Sequence, residues 1–175
     1  MGLELDFIFN PRSIAVVGAS ADPAKWGNRF IQALQYHGFR GPIYPVNPRK
    51  EEVQGLTGYA TVTEAPGPVD YVICTVPPSA VLKVVDECGE KGVRAMHFFT
   101  ARFAETGQVE GAELEQELLR RARQAGIRVI GPNCMGVYCP SQGLAFKHMP
   151  LEPGPVAFIS QSGGYAGELV YTAAL

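Results

Sequence analysis

The chain has 175 residues, of which 46% are apolar and 18% charged, and its formal net charge is −2. This near-neutral charge offers no basic field for nucleic acid or an anionic membrane surface, and no apolar run approaches the roughly 20 residues that span a bilayer. The four cysteines are scattered without zinc-site spacing, and the amino terminus lacks the pattern of a secretory signal. We therefore expect a globular cytoplasmic protein with reduced thiols, no metal site and no membrane or nucleic-acid partner.

Short apolar runs alternate with segments of helical periodicity, which is the pattern of βαβ units in a parallel sheet. The first run ends in Gly18, and a helical segment follows that is stopped by Gly38. The second run contains two prolines, which favours an irregular strand near an edge of the sheet. The connector 51–68 has weak periodicity. Five strands are predicted, at residues 13–18, 42–47, 70–76, 93–99 and 127–130.

Helical spacing also follows the third and fourth strands, and Gly126 closes the later of these helices. Crossover helices between parallel strands predict a Rossmann-like, doubly wound α/β sheet. We expect residues 13–131 to form a nucleotide-binding domain with its ligand at the carboxyl ends of the strands.

A new segment begins near residue 151, after a proline-rich joint. The run 156–159 predicts a strand, and helical spacing follows from Gly164 to the end of the chain. One strand and one helix cannot bury a core by themselves. We therefore expect a domain over residues 1–150 and, over residues 151–175, the truncated start of a second α/β domain, completed by further sequence or by a partner.

The turn Gly18-Ala19-Ser20 joins the first strand to a helix that begins near Gly27 and Asn28. A helix amino terminus after a glycine turn presents backbone N–H groups and a partial positive charge, which suit a phosphate. The Ser20 hydroxyl and the Lys25 cation would add to it. The alternative is a tight strand-to-helix turn that binds nothing.

The end of the second strand bears on which nucleotide is bound. NAD-binding units place an acidic residue there, whereas this chain has Asn47-Pro48-Arg49-Lys50 and no acid before Glu51. Two cations favour a ribose phosphate, as in coenzyme A (CoA) or NADP. The alternative is a solvated loop.

The later strand ends also resemble binding loops. Residues 75–78 contain two prolines, residues 100–107 follow the fourth strand, and residues 131–136 follow the fifth. Cys134 in the last loop fits either a chemical role or a buried apolar side chain. His97 is expected to be a strand residue with a structural partner.

A second glycine turn, residues 160–164, precedes the last helix and predicts a second anion site. A nucleophilic serine is disfavoured here because the Gly-x-Ser-x-Gly pattern is missing and no His/Asp pair is positioned by sequence.

Together these motifs resemble the NDP-forming acyl-CoA synthetases, which include ADP-forming acetyl-CoA synthetase and are related to the succinyl-CoA synthetase alpha subunit. The similar segments follow the family's order over almost the whole chain. They are Ser13–Ser20, Lys25–Asn28, Tyr44–Pro48, Val76-Pro77, Phe103–Gly107, Gly131–Cys134 and Ile159–Gly163.

The resemblance implies a CoA-binding domain followed by the first strand and helix of a flavodoxin-like ligase domain. The family usually has glycine where this chain has Arg102. If that position requires a positive φ, arginine costs about 1 kcal/mol or more there, and the loop with its Thr100–Arg102 contacts would have a different shape. The implied coenzyme site consists of Gly18, Ala19, Ser20, Lys25, Gly27, Asn28, Asn47, Pro48, Arg49, Lys50, Val76, Pro77, Thr100, Ala101, Asn133 and Cys134. The implied phosphate site consists of Ser160, Gln161, Ser162 and Gly163.

The resemblance further implies an enzyme that interconverts acyl-CoA, a nucleoside diphosphate and phosphate with an acid, CoA and a triphosphate. Its phosphohistidine and its ATP-grasp portion, with ATP or ADP and Mg²⁺, would lie beyond Leu175. We expect no catalytic residue in this chain, an ATP-grasp domain or subunit as its partner, and an oligomer. The alternatives are a regulatory CoA-sensing module of a protein acetyltransferase-like protein and an NADP-binding redox domain.

Overall fold

The computed structural model describes residues 5–173, which form a parallel five-stranded sheet in the order β2-β1-β3-β4-β5. Each strand lies within a range predicted from the apolar runs, so the predicted α/β fold class is confirmed. β2 is at an edge of the sheet, as its prolines predict. The strands are β1 (Ile14–Val17), β2 (Ile43–Val46), β3 (Tyr71–Cys74), β4 (Ala95–Phe98) and β5 (Arg128–Ile130).

Helices cover both faces of the sheet because successive strand residues point to opposite sides. Ile14, Val16 and Ile73 pack with the helix that follows β1, whereas Val17 and Cys74 pack with the two helices that follow β3 and β4. The helices are α1 (Asp6–Phe9), α2 (Trp26–Tyr36), α3 (Val81–Lys91), α4 (Val109–Gln124) and α5 (Gly163–Ala173).

The strand register brings the loops that follow the strands to one edge of the sheet. Val17 pairs with Cys74, and Cys74 pairs with Phe98. The chain order reverses between β1 and β3, and in open α/β sheets this is where a ligand crevice forms. The fold therefore places the predicted binding loops side by side.

The strand predicted at residues 156–159 is absent from the structure. Val156, Phe158 and Ile159 are exposed, Ile159 almost entirely so at 98%. An apolar run forms a strand only where a neighbouring strand accepts its backbone hydrogen bonds, and residues 5–173 provide none beside it. The helix expected after this run does form, as α5.

Within residues 5–173, no helix combines the length and apolar character that crossing a membrane would require. The same part of the chain has no cluster of three histidine, cysteine or acidic side chains suited to a metal ion.

A buried carboxylate ties together the edge of the sheet opposite the binding loops. Asp70 precedes β3 and accepts hydrogen bonds from Nε of Arg12 at 2.8 Å and from the Arg12 backbone N–H at 3.0 Å. Its own N–H donates to the Ser13 hydroxyl at 3.0 Å. The guanidinium of Arg12 is the main cause that lowers the pKa of Asp70 below its ordinary value.

We expect Asp70→Asn to lower the free energy of unfolding by about 1 kcal/mol near pH 7, because the charged hydrogen bonds from Arg12 are lost. The folded-state pKa of Asp70 is depressed. Its contribution is therefore complete above the unfolded pKa, about 3.9, and fades as pH falls through the folded value. Urea unfolding at about pH 7 and about pH 3 should show the gap between parent and variant closing at the lower pH. Glu113→Gln, at an exposed site on α4, is the control. A difference in the free energy of unfolding between parent and Asp70→Asn that is the same at both pH values would contradict the role of the charge.

Candidate functional site

The turn after β1 is closely packed. Gly18 has φ 90°, and a Cβ there would lie 2.5 Å from the Oγ1 atom of Thr75, so glycine is required. The N–H groups of Gly18 and Ala19 both donate to the Val46 carbonyl, at 3.0 and 3.2 Å. These two amides bond within the fold, so an anion at this turn would bind other groups, among them the Ser20 hydroxyl and the start of α2.

Two residues of the predicted coenzyme set hold this turn in place. A Cβ on Gly27 would overlap the Gly18 carbonyl oxygen, so the first turn of α2 lies directly against the turn. Asn28 is fully buried, and its Nδ2 donates to the Ser20 carbonyl at 2.7 Å, while its Oδ1 accepts from Gln54 at 2.8 Å. Gly27 and Asn28 thus position the turn, and Lys25 is exposed beside them.

The loop after β2 is organised by Asn47. Its side chain is buried, and Oδ1 accepts from the N–H groups of Arg49 and Glu51, both at 3.0 Å. Pro48 is exposed in this loop, and the two cations are exposed and paired: Arg49 contacts Glu51 at 2.9 Å and Lys50 contacts Glu64 at 3.0 Å. Lys50 also has a positive φ, 54°.

The loops after β3, β4 and β5 are joined through Thr100. Its hydroxyl is buried and donates to the Val76 carbonyl at 2.7 Å, next to Pro77. Its carbonyl accepts from the N–H of Asn133 at 2.9 Å. Ala101, the next residue, is half-buried. These hydrogen bonds fix three strand ends relative to one another.

Arg102 has φ 78°, in the left-handed region that favours glycine. The Glu105 carboxylate accepts from the Arg102 N–H at 2.6 Å and from the Phe103 N–H at 2.8 Å. Phe103 is fully buried in the core. Glu105 was not among the predicted site residues, although the Phe-Ala-Glu motif contains it. It shapes the loop that begins at Thr100.

A buried histidine supports the loop that carries Cys134. His97 on β4 is almost fully buried, and its Nε2 lies 2.7 Å from the Cys134 carbonyl. Desolvation lowers the pKa of His97 to about 4, against the opposing effect of that carbonyl. The ring is therefore neutral at pH 7, and we assign the proton to Nε2 because a carbonyl can only accept. Gly136 has φ 110°, and a Cβ there would contact the His97 ring, so the loop lies directly on it.

The predicted phosphate residues lie against the same loop. Ser160 accepts from the Ser162 N–H at 3.1 Å, and the Ser162 carbonyl accepts from Ala166 in the first turn of α5. A Cβ on Gly163 would overlap the side chain of Met135, which follows Cys134. Gln161 is exposed. The structure thus brings residues 160–163 next to the loop after β5.

We expect Arg102→Gly to raise the free energy of unfolding by up to about 1 kcal/mol, because glycine has no Cβ strain at positive φ and this gain exceeds its greater freedom in the unfolded chain. Arg102→Ala removes the same guanidinium but keeps the Cβ, and should give no such gain. Denaturant unfolding of both variants tests this. Equal stability of the two variants would contradict a strained backbone at Arg102.

Gly27→Ala should destabilise the fold by about 1–3 kcal/mol, although alanine is the better helix former, because the added methyl group overlaps the Gly18 turn. Gly164→Ala is the matched control, since a Cβ there meets only the Ser162 hydroxyl, at 3.8 Å. In thermal unfolding, the melting temperature of Gly164→Ala should equal or exceed that of the parent, and that of Gly27→Ala should be well below it. A Gly27→Ala variant as stable as the parent would show that the turn can move away.

Comparison with known proteins places this geometry in a family. The alpha subunit of ADP-forming acetate–CoA ligase II from Pyrococcus furiosus is 47% identical over 169 residues, covering 95% of this chain and 36% of that protein. The alpha subunit of the corresponding ligase I is 41% identical over 168 residues, covering 92% and 36%. This chain therefore spans about a third of the length of these relatives.

The structural comparison agrees. A chain of acetyl-coenzyme A synthetase 1 from Ca. Korarchaeum cryptofilum, solved in complex with phosphate and ADP, superposes with a TM-score of 0.87 at 42% identity, covering 97% of this chain and 36% of that one. These relatives are named as CoA ligases or synthetases, so they support the ligase interpretation and not the regulatory or redox alternatives. A family model described as a CoA binding domain matches residues 12–140. The chain belongs to this CoA-binding domain family.

Proposed function

We propose that this chain is the CoA-binding part of an ADP-forming acyl-CoA ligase. The observation that carries the proposal is that three loops lie in a row along one edge of the sheet: the loop 47–51, the Gly18 turn and the loop 131–136. An extended coenzyme with phosphates at one end and a thiol at the other suits such a row of sites.

Within this site, Ser20, Lys25 and the first turn of α2 would bind the coenzyme's pyrophosphate. Arg49 and Lys50 would bind its ribose phosphate. Asn133 and Cys134 would lie at the thiol end. Gly18, Ala19, Gly27, Asn28, Asn47 and Thr100 would act by holding these loops in shape, since their hydrogen bonds and packing are already made within the protein. Pro48, Val76, Pro77 and Ala101 would line the coenzyme.

The whole enzyme would interconvert acyl-CoA, ADP and phosphate with the acid, CoA and ATP. This chain would hold CoA so that its thiol can attack an acyl phosphate, and the first turn of α5 beside Met135 would face the phosphoryl group. The phosphohistidine, the ATP-grasp portion and bound Mg²⁺ would belong to the remaining two thirds of an enzyme of the relatives' length.

The segment 151–175 would be the start of that enzyme's second, flavodoxin-like domain. The exposed apolar run 156–159 supports this, because it has strand-forming residues and no strand beside it among residues 5–173. A cytoplasmic location and an oligomer formed with the ATP-grasp portion complete the proposal.

The ion pairs of Arg49 and Lys50 affect how strongly these cations could bind the ribose phosphate. Both pairs are at exposed positions, where such contacts contribute little, so a phosphate dianion can take over the cations. Calorimetry with the 175-residue chain should show that CoA binds about tenfold more tightly than dephospho-CoA, which lacks this phosphate.

In the double variant Arg49→Met/Lys50→Met, the two ligands should bind with equal affinity. Lys83→Met is the control, because Lys83 is also an exposed lysine that pairs with an acid, Glu87, on α3. Equal affinities of CoA and dephospho-CoA for the parent protein would remove the assigned role of Arg49 and Lys50. Absence of CoA binding to the parent would overturn the proposed function itself.

A further inference from the structure

Trp26 is the only tryptophan of the chain and stands at the first position of α2. Its side chain is 39% exposed. Its neighbour Gly27 lies directly against the Gly18 carbonyl, so the backbone of Trp26 is next to the residue that packs on the turn proposed for the pyrophosphate. Neither the motifs nor the geometry above give this ring a role.

The indole packs on an aromatic ring from a different loop. Its centroid is 4.6 Å from that of Phe99, the residue between β4 and Thr100. Phe99 in turn packs edge-on against Phe30, which packs against His97 at 5.7 Å, and His97 supports Cys134. The Trp26 ring is also 6.4 Å from that of Phe30, so these rings form a cluster at the loops after β4 and β5, and Trp26 is its exposed member.

A cation accompanies the ring. The guanidinium carbon of Arg29 lies 5.2 Å from the centre of the indole, within the range of a cation–π contact. Arg29 is exposed, and among residues 5–173 neither Arg29 nor Lys25 forms an ion pair, in contrast to Arg49 and Lys50. The first turn of α2 thus offers an accessible positive charge next to an accessible apolar ring.

A single exposed aromatic residue is common and requires no ligand. The position of Trp26 distinguishes it. If the phosphates lie at the Gly18 turn and the thiol lies at Cys134, the arm that joins them has to cross the surface between β1 and β5. The pantetheine arm of CoA carries a carbon with two methyl groups one CH2 group away from the pyrophosphate, and such a group packs favourably on an aromatic face.

We infer that Trp26 and Arg29 form a further part of the coenzyme site, in which the indole packs against the dimethyl segment of the pantetheine arm and Arg29 binds the adjacent pyrophosphate. This inference rests on the proposed function, because it takes CoA as the ligand. It adds a binding element for the apolar middle of the coenzyme.

The single tryptophan provides a direct test, since selective excitation of the indole reports on this position alone. Titration of CoA into the 175-residue chain should change the indole emission with the dissociation constant that calorimetry gives. Adenosine 3′,5′-bisphosphate, which lacks the pantetheine arm, should leave the emission nearly unchanged. Trp26→Ala should weaken CoA binding about tenfold and leave bisphosphate binding unaltered, and Trp26→Phe should recover most of the loss.

Tyr36→Ala is the matched control, because Tyr36 is an exposed aromatic residue at the other end of the same helix, stacked on His148. It should bind CoA as the parent does. Arg29→Met should weaken CoA binding both in the parent protein and when it is combined with Trp26→Phe. Calorimetric binding of CoA with no change in emission, or with the parent's affinity in Trp26→Ala, would overturn this inference and leave the proposed function intact. No heat of binding in the parent would instead remove the proposed function.

Discussion

The site depends on the close contact of three backbone segments at the end of β1. Gly18 lies between Thr75 on one side and Gly27 on the other, and a side-chain carbon on either glycine would overlap a neighbouring atom. This contact sets how near α2 comes to the carboxyl end of the sheet. The start of that helix, with the exposed residues Lys25, Trp26 and Arg29, is therefore held beside the strand ends by contacts within the protein.

Around this contact, buried polar side chains bond to backbone groups of the loops. Asn28 donates to the turn after β1, Asn47 caps the loop after β2, and Thr100 joins the ends of β3 and β4. His97 donates to the loop after β5. Each such bond satisfies a group that would be costly to bury alone, so the loops have few alternative conformations. A site built in this way loses little conformational entropy when an extended ligand binds along it.

The sequence predicts the sheet well because buried parallel strands appear as short apolar runs that end in glycine or proline. It fails at residues 156–159, since an apolar run indicates what could pair and not whether a partner strand is adjacent. It does not reveal that the side-chain amides of Asn28 and Asn47 hydrogen-bond to backbone groups of the loops, because a motif shows which residues occur at a site and not which way an amide points. Glu64 pairs with Lys50 across 14 residues of sequence, a contact that no local spacing reveals.

The distribution of charge along the site follows from these same contacts. The cations after β2 are paired with acids. A phosphate that binds them would gain electrostatic attraction but would have to break two weak ion pairs at the surface. Lys25 and Arg29, at the start of α2, have no acid partner among residues 5–173, so a phosphate that binds them would break no ion pair. Phosphates at the two places would therefore bind with unequal affinity, and the stronger attraction would be at the Gly18 turn. The pyrophosphate would anchor the coenzyme there, while the ribose phosphate at Arg49 and Lys50 would select CoA over its dephosphorylated form.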